Sequence, residues 1–374
     1  MNYPMVRLGD ICTVVSGSTP KSNIPEYWDG DVKWITPAEL TEDSFIVEDS
    51  VRHITELGVQ KTGLKPFPAG TVILSSRAPI GKTAIAGCEM YCNQGFKNLI
   101  CSDCIDSHYL YHFLSSKTEY LNSLGRGATF KEISKGIVEN IEIPLPPKAK
   151  QTEISDQFAK INELIKLRKE QLSSFDELVK SRFIELFGDL KANPYHWACK
   201  NLLEVADIDT VMVNDYEKYA NYPHVGIDSI EKNTGRLVGY RTIAEDGVIS
   251  GKYLFTSKHI IYSKIRPNLN KVALPEFEGL CSADAYPILP KEDICLRTYL
   301  GYVLRSEFFL DYILPFSRRA NMPKVNKEQL SGFVLPVPNI DLQKQFAAFV
   351  EQTDKLKLDI EKSQQTLSRR YIIQ

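Results

Sequence analysis

The side chains with the clearest chemical potential in this sequence are cations and amides, because such groups bind nucleic-acid phosphates and the edges of bases. Three windows carry positive charge without an acidic residue: Thr71 to Cys88, Thr256 to Leu274, and Pro315 to Lys327. A fourth window, Arg126 to Lys135, is diluted by Glu132. These windows predict local sites for a polyanion.

The candidate nucleic-acid contacts combine these cations with nearby amide and hydroxyl side chains. Any one of them has a plain alternative, a solvated surface loop. For Arg77 and Arg266, which match in the duplication described below, the alternative is a structural ion pair. Phosphate contact is the hypothesis for both, because no acid lies nearby in the sequence. The full set of candidates is Lys21, Ser22, Arg77, Lys82, Gln94, Lys97, Arg126, Thr129, Lys131, Lys264, Arg266, Asn268, Asn270, Lys271, Arg318, Arg319, Asn321 and Lys324.

Catalytic motifs in the sequence are incomplete or missing. Asn193-Pro194-Tyr195 lacks the second proline of the loop with which adenine methyltransferases hold a flipped base. The chain has no Gly-x4-Gly-Lys-Ser/Thr motif to cradle nucleotide phosphates, which excludes ATP-driven translocation by this chain. Asp31-Val32-Lys33 is a fragment of a metal-nuclease pattern without a convincing upstream acid. We therefore predict no catalytic residues.

Four cysteines form a second arrangement that suggests a metal. Cys88 and Cys92, with Cys101 and Cys104, have spacings that a four-thiolate zinc site requires. However, the eight residues between the two pairs pass through an apparent strand, and the six histidines are scattered without ligand spacing. Buried free thiols are the favoured interpretation, and no metal is predicted.

An internal duplication is the most informative feature of the sequence. The run from Arg77 to Lys82 reappears about 189 residues later, as the run from Arg266 to Lys271. A second set of matches follows at a shift of about 192, which a three-residue insertion would produce. The matched pairs are Ala128 with Ala320, Pro144 with Pro336, Pro146 with Pro338, and Gln151 with Gln343.

A long helical segment follows the proline-punctuated end of each copy. Apolar residues recur there at alternating spacings of four and three, which is typical of a coiled-coil seam. The alternative is an amphipathic helix packed on its own domain. Two such helices at equivalent places favour pairing with each other, and antiparallel pairing would put the globular parts at opposite ends. The predicted seam residues are Ile154, Phe158, Ile161, Ile165, Leu172, Phe175, Val179, Leu186, Leu342, Phe346, Phe349, Leu356, Ile360 and Leu367, with Arg168 and Arg182 in two further positions of the first helix and Thr353 and Ser363 in two of the second.

The predicted fold class is α+β: two pseudo-symmetric mixed α/β globular domains, separated by a long antiparallel two-helix coiled coil. The domains are predicted at 1–147 and 189–338, and the helices at 148–188 and 339–374. Apolar or β-branched runs predict strands, and longer periodic segments predict helices at Tyr109 to Leu124 and Leu296 to Leu314. The predicted strands are Thr71 to Leu74, Lys97 to Cys101, His259 to Tyr262 and Phe333 to Val337.

Composition limits the class of protein further. The 374 residues exceed one ordinary core, and 43% hydrophobic with 25% charged residues is typical of globular proteins. The net charge of −2 means that any phosphate-binding surface must come from local segregation of charge. Neither a signal peptide nor a membrane span is predicted, so we expect a cytoplasmic protein whose eight cysteines are reduced thiols.

The opening of the first copy resembles the target recognition domain of type I restriction-modification specificity subunits. The resemblance lies in Leu8-Gly9-Asp10-Ile11, Ser16-Gly17-Ser18-Thr19-Pro20, Tyr27-Trp28-Asp29-Gly30 and Lys33-Trp34-Ile35, and in the run from Arg77 to Lys82. Leu186-Phe187-Gly188-Asp189, followed by Asn193-Pro194 and Trp197, is similar to the central region of that family. The second copy departs from the pattern, because it lacks the Gly-Ser-Thr-Pro opening.

This resemblance implies that the two globular domains share the recognition of one DNA target. Each globule would bind one half of a bipartite, asymmetric target in double-stranded DNA, with the helices as a ruler. A helix of about 36 residues is about 54 Å long and spans roughly 16 base pairs. The resemblance also implies two modification subunits, which carry S-adenosylmethionine and methylate adenine, and restriction subunits, which use ATP and Mg. No cofactor would belong to this chain.

Two other classes of protein remain as alternatives at this stage. A coiled-coil scaffold whose globules bind other proteins would have no affinity for duplex DNA. A standalone methyltransferase or nuclease is disfavoured by the missing motifs. A specificity protein that serves another restriction type would differ only in its partners.

Overall fold

The structure, a computed structural model, describes residues 3–41, 44–77, 79–127, 131–317 and 324–373, with side chains to residue 367. Contacts divide the chain into two compact units. The first comprises Met1–Arg168 with Ser363–Gln374, and the second comprises Lys169–Lys362. Each unit thus holds one copy of the duplication and a segment of each long helix.

The first unit is a mixed α/β domain. Its strands are β1 (Met5–Arg7), β2 (Cys12–Val15), β3 (Trp28–Ile35), β4 (Ile46–Val47), β5 (His53–Ile54), β6 (Val72–Leu74), β7 (Thr83–Ala86), β8 (Tyr91–Cys92), β9 (Asn98–Cys101) and β10 (Glu142–Pro144). Its helices are α1 (Leu8–Ile11), α2 (Glu56–Thr62), α3 (Ser107–Ser116), α4 (Thr118–Leu124), α5 (Lys135–Glu139) and the first part of α6 (Lys148–Phe187).

A five-stranded sheet organises the first unit, with strand order β2-β9-β6-β7-β4. Strand β6 has an apolar side chain at each of its three positions, and all are buried, because both faces of the sheet are covered. Val72 and Leu74 pack with the α3 residue Leu110, whereas Ile73 belongs to a second cluster with Phe67. This alternation is the two-residue period of a strand. A smaller sheet, β5-β3-β8, and the pair β1-β10 complete the unit.

The second unit repeats this plan. Its strands are β11 (Ala198–Asn201), β12 (Ala206–Ile208), β13 (Met212–Val213), β14 (Pro223–Val225), β15 (Arg241–Thr242), β16 (Lys252–Phe255), β17 (Ile260–Ser263), β18 (Val272–Ala273), β19 (Gly279–Ser282), β20 (Ala285–Pro290) and β21 (Val334–Val337). Its helices are α7 (Leu202–Val205), α8 (Arg297–Arg305), α9 (Glu307–Ile313), α10 (Lys327–Ser331) and most of α11 (Ile340–Ile373).

The order β12-β20-β17-β18 in the second unit matches β2-β9-β6-β7 in the first. Ile260 and Tyr262 of β17 again face one cluster, and Ile261 faces another. The terminal pair β11-β21 corresponds to β1-β10. A second sheet, β13-β16-β19-β14-β15, is larger than its counterpart in the first unit. The duplication in the sequence is therefore a duplication of topology.

The strands predicted from apolar runs are present, as β6, β9, β17 and β21. Each predicted domain helix is instead two helices. The first breaks at Lys117, between α3 and α4. The second breaks at Ser306, whose hydroxyl accepts a hydrogen bond from Phe309 N and so caps α9. An N-cap serine inside an apolar run is a local signal that periodicity alone does not reveal.

The two long helices pack against each other within the second unit. Near the start of α11, Phe346 lies 5.3 Å from Phe183 and 5.5 Å from Phe187 between ring centroids. Further along α11, Lys357 forms an ion pair with Asp176 of α6. Phe346 of α11 thus meets Phe187 of α6, and the later residue Lys357 meets the earlier residue Asp176. The two helices are therefore antiparallel, as predicted.

One position of the predicted seam in α11 is wrong. Leu356 is 47% exposed, whereas Thr353 and Ile360, which the same pattern places in the seam, are buried as predicted. The face that packs against α6 continues instead through Lys357, whose side chain is 20% exposed because its apolar stem covers the helix and its amine reaches Asp176. Val350, at 8% exposure, precedes Lys357 by one heptad on the same face.

The end of α6 also departs from the predicted seam. Phe183 and Phe187 are buried, and Arg182 lies beside them with its guanidinium 5.9 Å from the Phe349 ring centroid. This part of α6 joins the core of the second unit, where Phe187 lies 4.9 Å from Tyr299 of α8. The helix thus packs on both α11 and the globule.

The start of α6 packs on the first unit. Phe158 stacks on His112 of α3 at 5.1 Å between ring centroids. Burial lowers the pKa of His112 to about 4, so this imidazole is neutral at physiological pH. Packing on a helix's own domain, the alternative to the seam, therefore describes this segment. The other predicted seam residues are half-buried or buried, namely Ile154, Ile161, Ile165, Leu172, Phe175, Val179, Leu186, Leu342 and Leu367.

In the described parts of the chain, no helix is both long enough and apolar enough to cross a membrane. All eight cysteines are free thiols. Burial raises the pKa of both the Cys92 and Cys281 thiols to about 12, which keeps them protonated. The described residues include no cluster of three or more His, Cys, Asp or Glu side chains that could hold a metal ion.

Candidate nucleic-acid interface

A glycine-containing loop, residues 16–24, forms one edge of the candidate site in the first domain. A Cβ on Gly17 would lie 1.8 Å from the carbonyl oxygen of Cys92, so only glycine fits there. Two buried indoles hold the loop by its main chain: Trp34 Nε1 donates to Ser18 O at 3.0 Å, and Trp28 Nε1 donates to Lys21 O at 3.2 Å.

The predicted contacts Lys21 and Ser22 are exposed on this loop. The Thr19 hydroxyl donates to Oε1 of Gln94, another predicted contact, which is exposed on the neighbouring loop after β8. The structure therefore brings Lys21, Ser22 and Gln94 onto adjoining loops, although about 70 residues separate them in the sequence.

An ion-pair network lies at the next pair of loops. Glu132 accepts from Arg77 Nε at 2.9 Å and from Lys97 Nζ at 3.3 Å. Partial burial alone would raise the pKa of Glu132, but the hydrogen bonds from Arg77 and Lys97 outweigh it and lower that pKa. The Lys97 side chain is only 9% exposed, so it neutralises Glu132 from the interior.

This network removes the premise of the hypothesis for Arg77, whose contact with phosphate stays a prediction. The absence of an acid nearby in the sequence suggested phosphate contact, but Glu132 reaches Arg77 from 55 residues away in the chain. The structural ion pair that was stated as the alternative does form at Arg77. Lys97 likewise has its charge satisfied within the domain, which does not fit a direct contact with DNA.

The exposed cations of this region flank the network. Arg126 N donates to Glu132 O at 3.0 Å, and Glu132 N donates to Arg126 O at 2.9 Å. This short backbone ladder presents the exposed side chains of Arg126 and Lys131 on either side of the carboxylate. The predicted contact Thr129 lies outside the described residues.

Lys82 and Lys271, the matched lysines of the duplication, have the same structural role. Lys82 Nζ donates to Leu40 O, and Lys271 Nζ donates to Ile227 O at 2.8 Å. Both side chains are half-buried and tie a neighbouring loop to the sheet. Their prediction as DNA contacts is therefore not supported by their placement.

Asn270 also departs from its predicted role. It is 8% exposed, and its Nδ2 donates to Arg305 O at 2.8 Å. Its backbone is left-handed, at φ +48°, a conformation that asparagine tolerates better than most residues. Asn270 thus supports the turn after β17, whereas Asn268, two residues earlier, is exposed and available to read a base.

Backbone hydrogen bonds give the structural equivalence between the two domains at this site. The backbone of Ser76 donates to the loop before β9 and accepts from the segment before α5. The backbone of Lys264 donates to the loop before β20 and accepts from the segment before α10. The two residues therefore occupy the same place. The four bonds are Ser76 N to Gly95 O, 2.7 Å, Ile133 N to Ser76 O, 3.1 Å, Lys264 N to Asp284 O, 2.9 Å, and Val325 N to Lys264 O, 2.8 Å.

This equivalence shifts the sequence match by one residue. Arg77 forms a β-bridge with Glu132, and Ile265 forms the corresponding bridge with Lys324. Arg77 therefore corresponds to Ile265, and Arg266 lies one residue further into the loop. Arg266 is exposed, with φ +47°, and forms no ion pair within the described ranges.

Three equivalent positions differ in charge between the domains. We call Ser76, Lys97 and Glu132 the first triad. The equivalent residues of the second domain form the second triad. They are identified from the β-bridges and from the pairing of β9 and β20 with the central strands β6 and β17. The second triad is Lys264, Tyr286 and Lys324.

The second triad lines a depression of about 270 Å³, together with Asn326 and Gln329. Lys264 Nζ lies 5.2 Å from the ring centroid of Tyr286, a cation-π contact. Lys324 Nζ lies 3.2 Å from Asp284 Oδ1, with both side chains substantially exposed. Two lysines with one carboxylate leave a net positive charge, so the depression suits an anion. Arg318, Arg319 and Asn321, predicted nearby, lie outside the described residues.

Sequence reasoning missed the roles of Glu132, Asp284 and Tyr286. Glu132 was seen only as a dilution of positive charge. Its partners come from other loops, so no local pattern marks the ion pairs. A signal was present in the duplication, where Lys97 aligns with Tyr286 and Glu132 with Lys324. Both substitutions change charge at matched positions.

Comparison with known proteins identifies the class. The family model of the type I restriction modification DNA specificity domain matches residues 2–174 and again 194–367. The chain belongs to this family and contains its domain twice. The resemblance inferred from the sequence is thereby confirmed.

Individual relatives have the same description. The chain is 39% identical over 189 residues to the type I restriction enzyme MjaIX specificity subunit of Methanocaldococcus jannaschii, covering 50% of this chain and 43% of that protein. It is 30% identical over 283 residues to the EcoDI specificity subunit of Escherichia coli, covering 66% and 63%. These matches span less than two thirds of each relative.

Solved structures share the fold over nearly the whole chain. A chain from a structure on complex assembly and conformational transition of the type I R-M system has a TM-score of 0.61 at 18% identity, covering 99% of this chain and 96% of that one. The type I restriction-modification S subunit from M. genitalium has a TM-score of 0.55 at 14% identity, covering 99% and 94%. The fold of this chain is therefore shared with these solved structures.

Proposed function

We propose that this chain reads DNA sequence as the specificity subunit of a type I restriction-modification complex. Each domain recognises one half of a bipartite, asymmetric target. The observation that carries this proposal is the double match to the DNA specificity domain, on two domains that present loops at equivalent sheet edges. The chain itself performs no catalysis.

The loops supply two kinds of contact. Exposed cations such as Arg126, Lys131 and Arg266 bind phosphates and set the register on the duplex. Exposed polar side chains such as Gln94 and Asn268 hydrogen-bond the edges of bases. A net charge of −2 means that affinity rests on these local clusters and on partner subunits.

The chemistry that follows recognition belongs to the partners. Two modification subunits bind S-adenosylmethionine and methylate adenine at the site that this chain selects. Restriction subunits use ATP and Mg to translocate and cleave DNA. The complex acts in the cytoplasm, where the eight free thiols of this chain stay reduced.

The antiparallel helices α6 and α11 act as a ruler between the half-sites. A 40-residue helix is about 60 Å long, which corresponds to roughly 18 base pairs of duplex. Both ends of such a ruler must be anchored. Packing of Phe158 on the first domain and Phe187 on the second supports this role.

Methylome sequencing tests the proposal. Cells that co-express this chain with its modification subunit should carry methyladenine in one bipartite motif, which is absent from cells with the modification subunit alone. A gel shift with duplex containing the motif should then require the intact complex. A methylome without any motif that depends on this chain would overturn the proposal and favour the protein-interaction scaffold.

A further inference from the structure

Two glutamines have identical surroundings in the two domains. Gln151 in the first turn of α6 and Gln343 in the first turn of α11 are both fully buried, at 0% exposure. A buried amide must satisfy its donors and acceptor inside the protein, or it destabilises the fold. Such residues at the base of each long helix require an explanation.

Each glutamine joins three segments of its own domain. Gln151 Nε2 donates to Cys104 O and to Pro146 O, both at 2.9 Å, and its Oε1 accepts from Asp106 N at 2.7 Å. Pro146 belongs to the exit from β10, and Asp106 is the N-cap of α3. One amide thus locks the long helix to the exit segment and to a domain helix.

Gln343 makes the same bonds in the second domain. Its Nε2 donates to Pro338 O at 2.8 Å and to Ile294 O at 3.1 Å, and its Oε1 accepts from Leu296 N at 2.8 Å. Leu296 is the N-cap of α8, the counterpart of α3. All three bonds are therefore preserved between domains whose exposed loops differ.

A tyrosine completes each arrangement. Tyr109 of α3 donates its hydroxyl to Pro144 O at 2.8 Å, and Tyr299 of α8 donates to Pro336 O at 2.8 Å. Each tyrosine ties a domain helix to the strand that leads into a long helix. We call each set, Gln151 with Tyr109 and Gln343 with Tyr299, a helix clamp.

We infer that the two helix clamps fix the angle at which each long helix leaves its domain, and so set the spacing between the half-sites that the complex accepts. This inference rests on the proposed function. A tilt of about 5° at one end of a ~60 Å helix moves the other end sideways by about 5 Å. At about 10 Å from the duplex axis, that displacement turns the far domain around the duplex by about 30°, close to the twist of about 36° that one base pair of spacer adds. Gln151 and Gln343 are positioning residues, because they act through the helices and not on DNA.

The test is the spacer length in the methylome of the whole complex. Gln343→Met keeps the side-chain length but removes all three hydrogen bonds. We expect both half-site sequences to be kept. Methylation at sites whose spacer is one base pair longer or shorter should rise at least tenfold. Gln352→Met, on an exposed turn of the same helix, is the matched control and should keep the wild-type spacer.

A milder variant guards against loss of folding. Tyr299→Phe removes one hydrogen bond and should relax the spacer less than Gln343→Met does, with a melting temperature close to wild type. A folded Gln343→Met or Tyr299→Phe protein that accepts only the wild-type spacer overturns the inference. Absence of any bipartite motif with the wild-type chain would instead overturn the proposed function, so the two failures are distinct.

Discussion

The two domains share a sheet order and a loop framework but differ in the charge of one loop cluster. The first triad is closed: Lys97 and Arg77 hold Glu132, and the cations satisfy the carboxylate within the domain. The second triad is open, because Lys264 and Lys324 line a depression with Asp284 as the carboxylate beside them. The same backbone bonds therefore carry a triad without net charge, Ser76, Lys97 and Glu132, in one domain, and a triad with two lysines, Lys264, Tyr286 and Lys324, in the other. Recognition chemistry can change where the fold does not.

The largest expected effect comes from reversing the charge of the open pocket. Lys264→Glu with Lys324→Glu should weaken binding of the complex to its DNA target about 100-fold, because two phosphate contacts become repulsive. The number of counterions released on binding, which the salt dependence of the affinity reports, should also fall by about two. Titration by fluorescence anisotropy at several salt concentrations measures both quantities.

Lys344→Glu, on the exposed first turn of α11, is the control for that experiment. It makes one charge reversal outside the pocket and should change affinity less than threefold. Equal losses in the pocket variant and the control would show that overall charge, and not the open pocket, governs binding.

Asn270 and Asn268 lie close together in the second domain but have different expected roles: Asn270 stabilises the fold, and Asn268 contacts a base. Asn270→Ala should lower the free energy of unfolding by about 2 kcal/mol, because it removes the bond to Arg305 O and places alanine in a left-handed turn. Asn268→Ala should leave stability within about 0.5 kcal/mol of wild type but relax selectivity at one base pair. Urea denaturation and methylome sequencing measure the two properties, and the reverse pattern would contradict the assignment.

The closed triad predicts a smaller effect, on stability. Glu132→Gln should lower the free energy of unfolding by about 1 kcal/mol at neutral pH, since Lys97 keeps its charge but loses an ionic partner. DNA affinity should rise by no more than about threefold, because loss of the carboxylate leaves the positive charges of Arg77 and Lys97 uncompensated. Thermal unfolding with a parallel binding titration checks this, and Glu153→Gln on exposed α6 serves as the control.

The difference in stability between wild type and Glu132→Gln should depend on pH. The pKa of Glu132 is lowered in the folded protein, so its stabilising contribution is complete above its unfolded-state pKa of about 4.3 and is lost as pH falls through the folded value. Wild type and Glu132→Gln should therefore differ at pH 7 and converge in stability only as the pH falls below the lowered folded-state pKa of Glu132. A constant difference over this pH range would mean that Glu132 acts by packing and not by charge.

The sequence alone predicts the repeated architecture well. Proline-punctuated exits and long periodic helices are local patterns, and they indicate α6 and α11 to within a residue or two at most ends. Gly188, with φ +75°, ends α6 where the Leu186-Phe187-Gly188-Asp189 motif suggested. What the pattern misses is one position of the seam, where Lys357 and not Leu356 faces α6.

The candidate site is less predictable for a physical reason. Charge neutralisation depends on residues that meet only after folding, as Arg77 meets Glu132. Counting nearby acids in the sequence therefore misjudges which cations remain available. The register between copies also needs backbone bonds, because one extra residue in a loop moves Arg266 away from the place of Arg77.

The indole contacts of Trp28 and Trp34 have a consequence for how new specificities arise. Both rings grip the loop at carbonyl oxygens, a group that every amino acid possesses. Substitutions at Lys21 or Ser22 therefore leave both indole hydrogen bonds in place and change only the side chains that the loop exposes. The chemistry of this surface can thus change by point mutation while the scaffold stays the same.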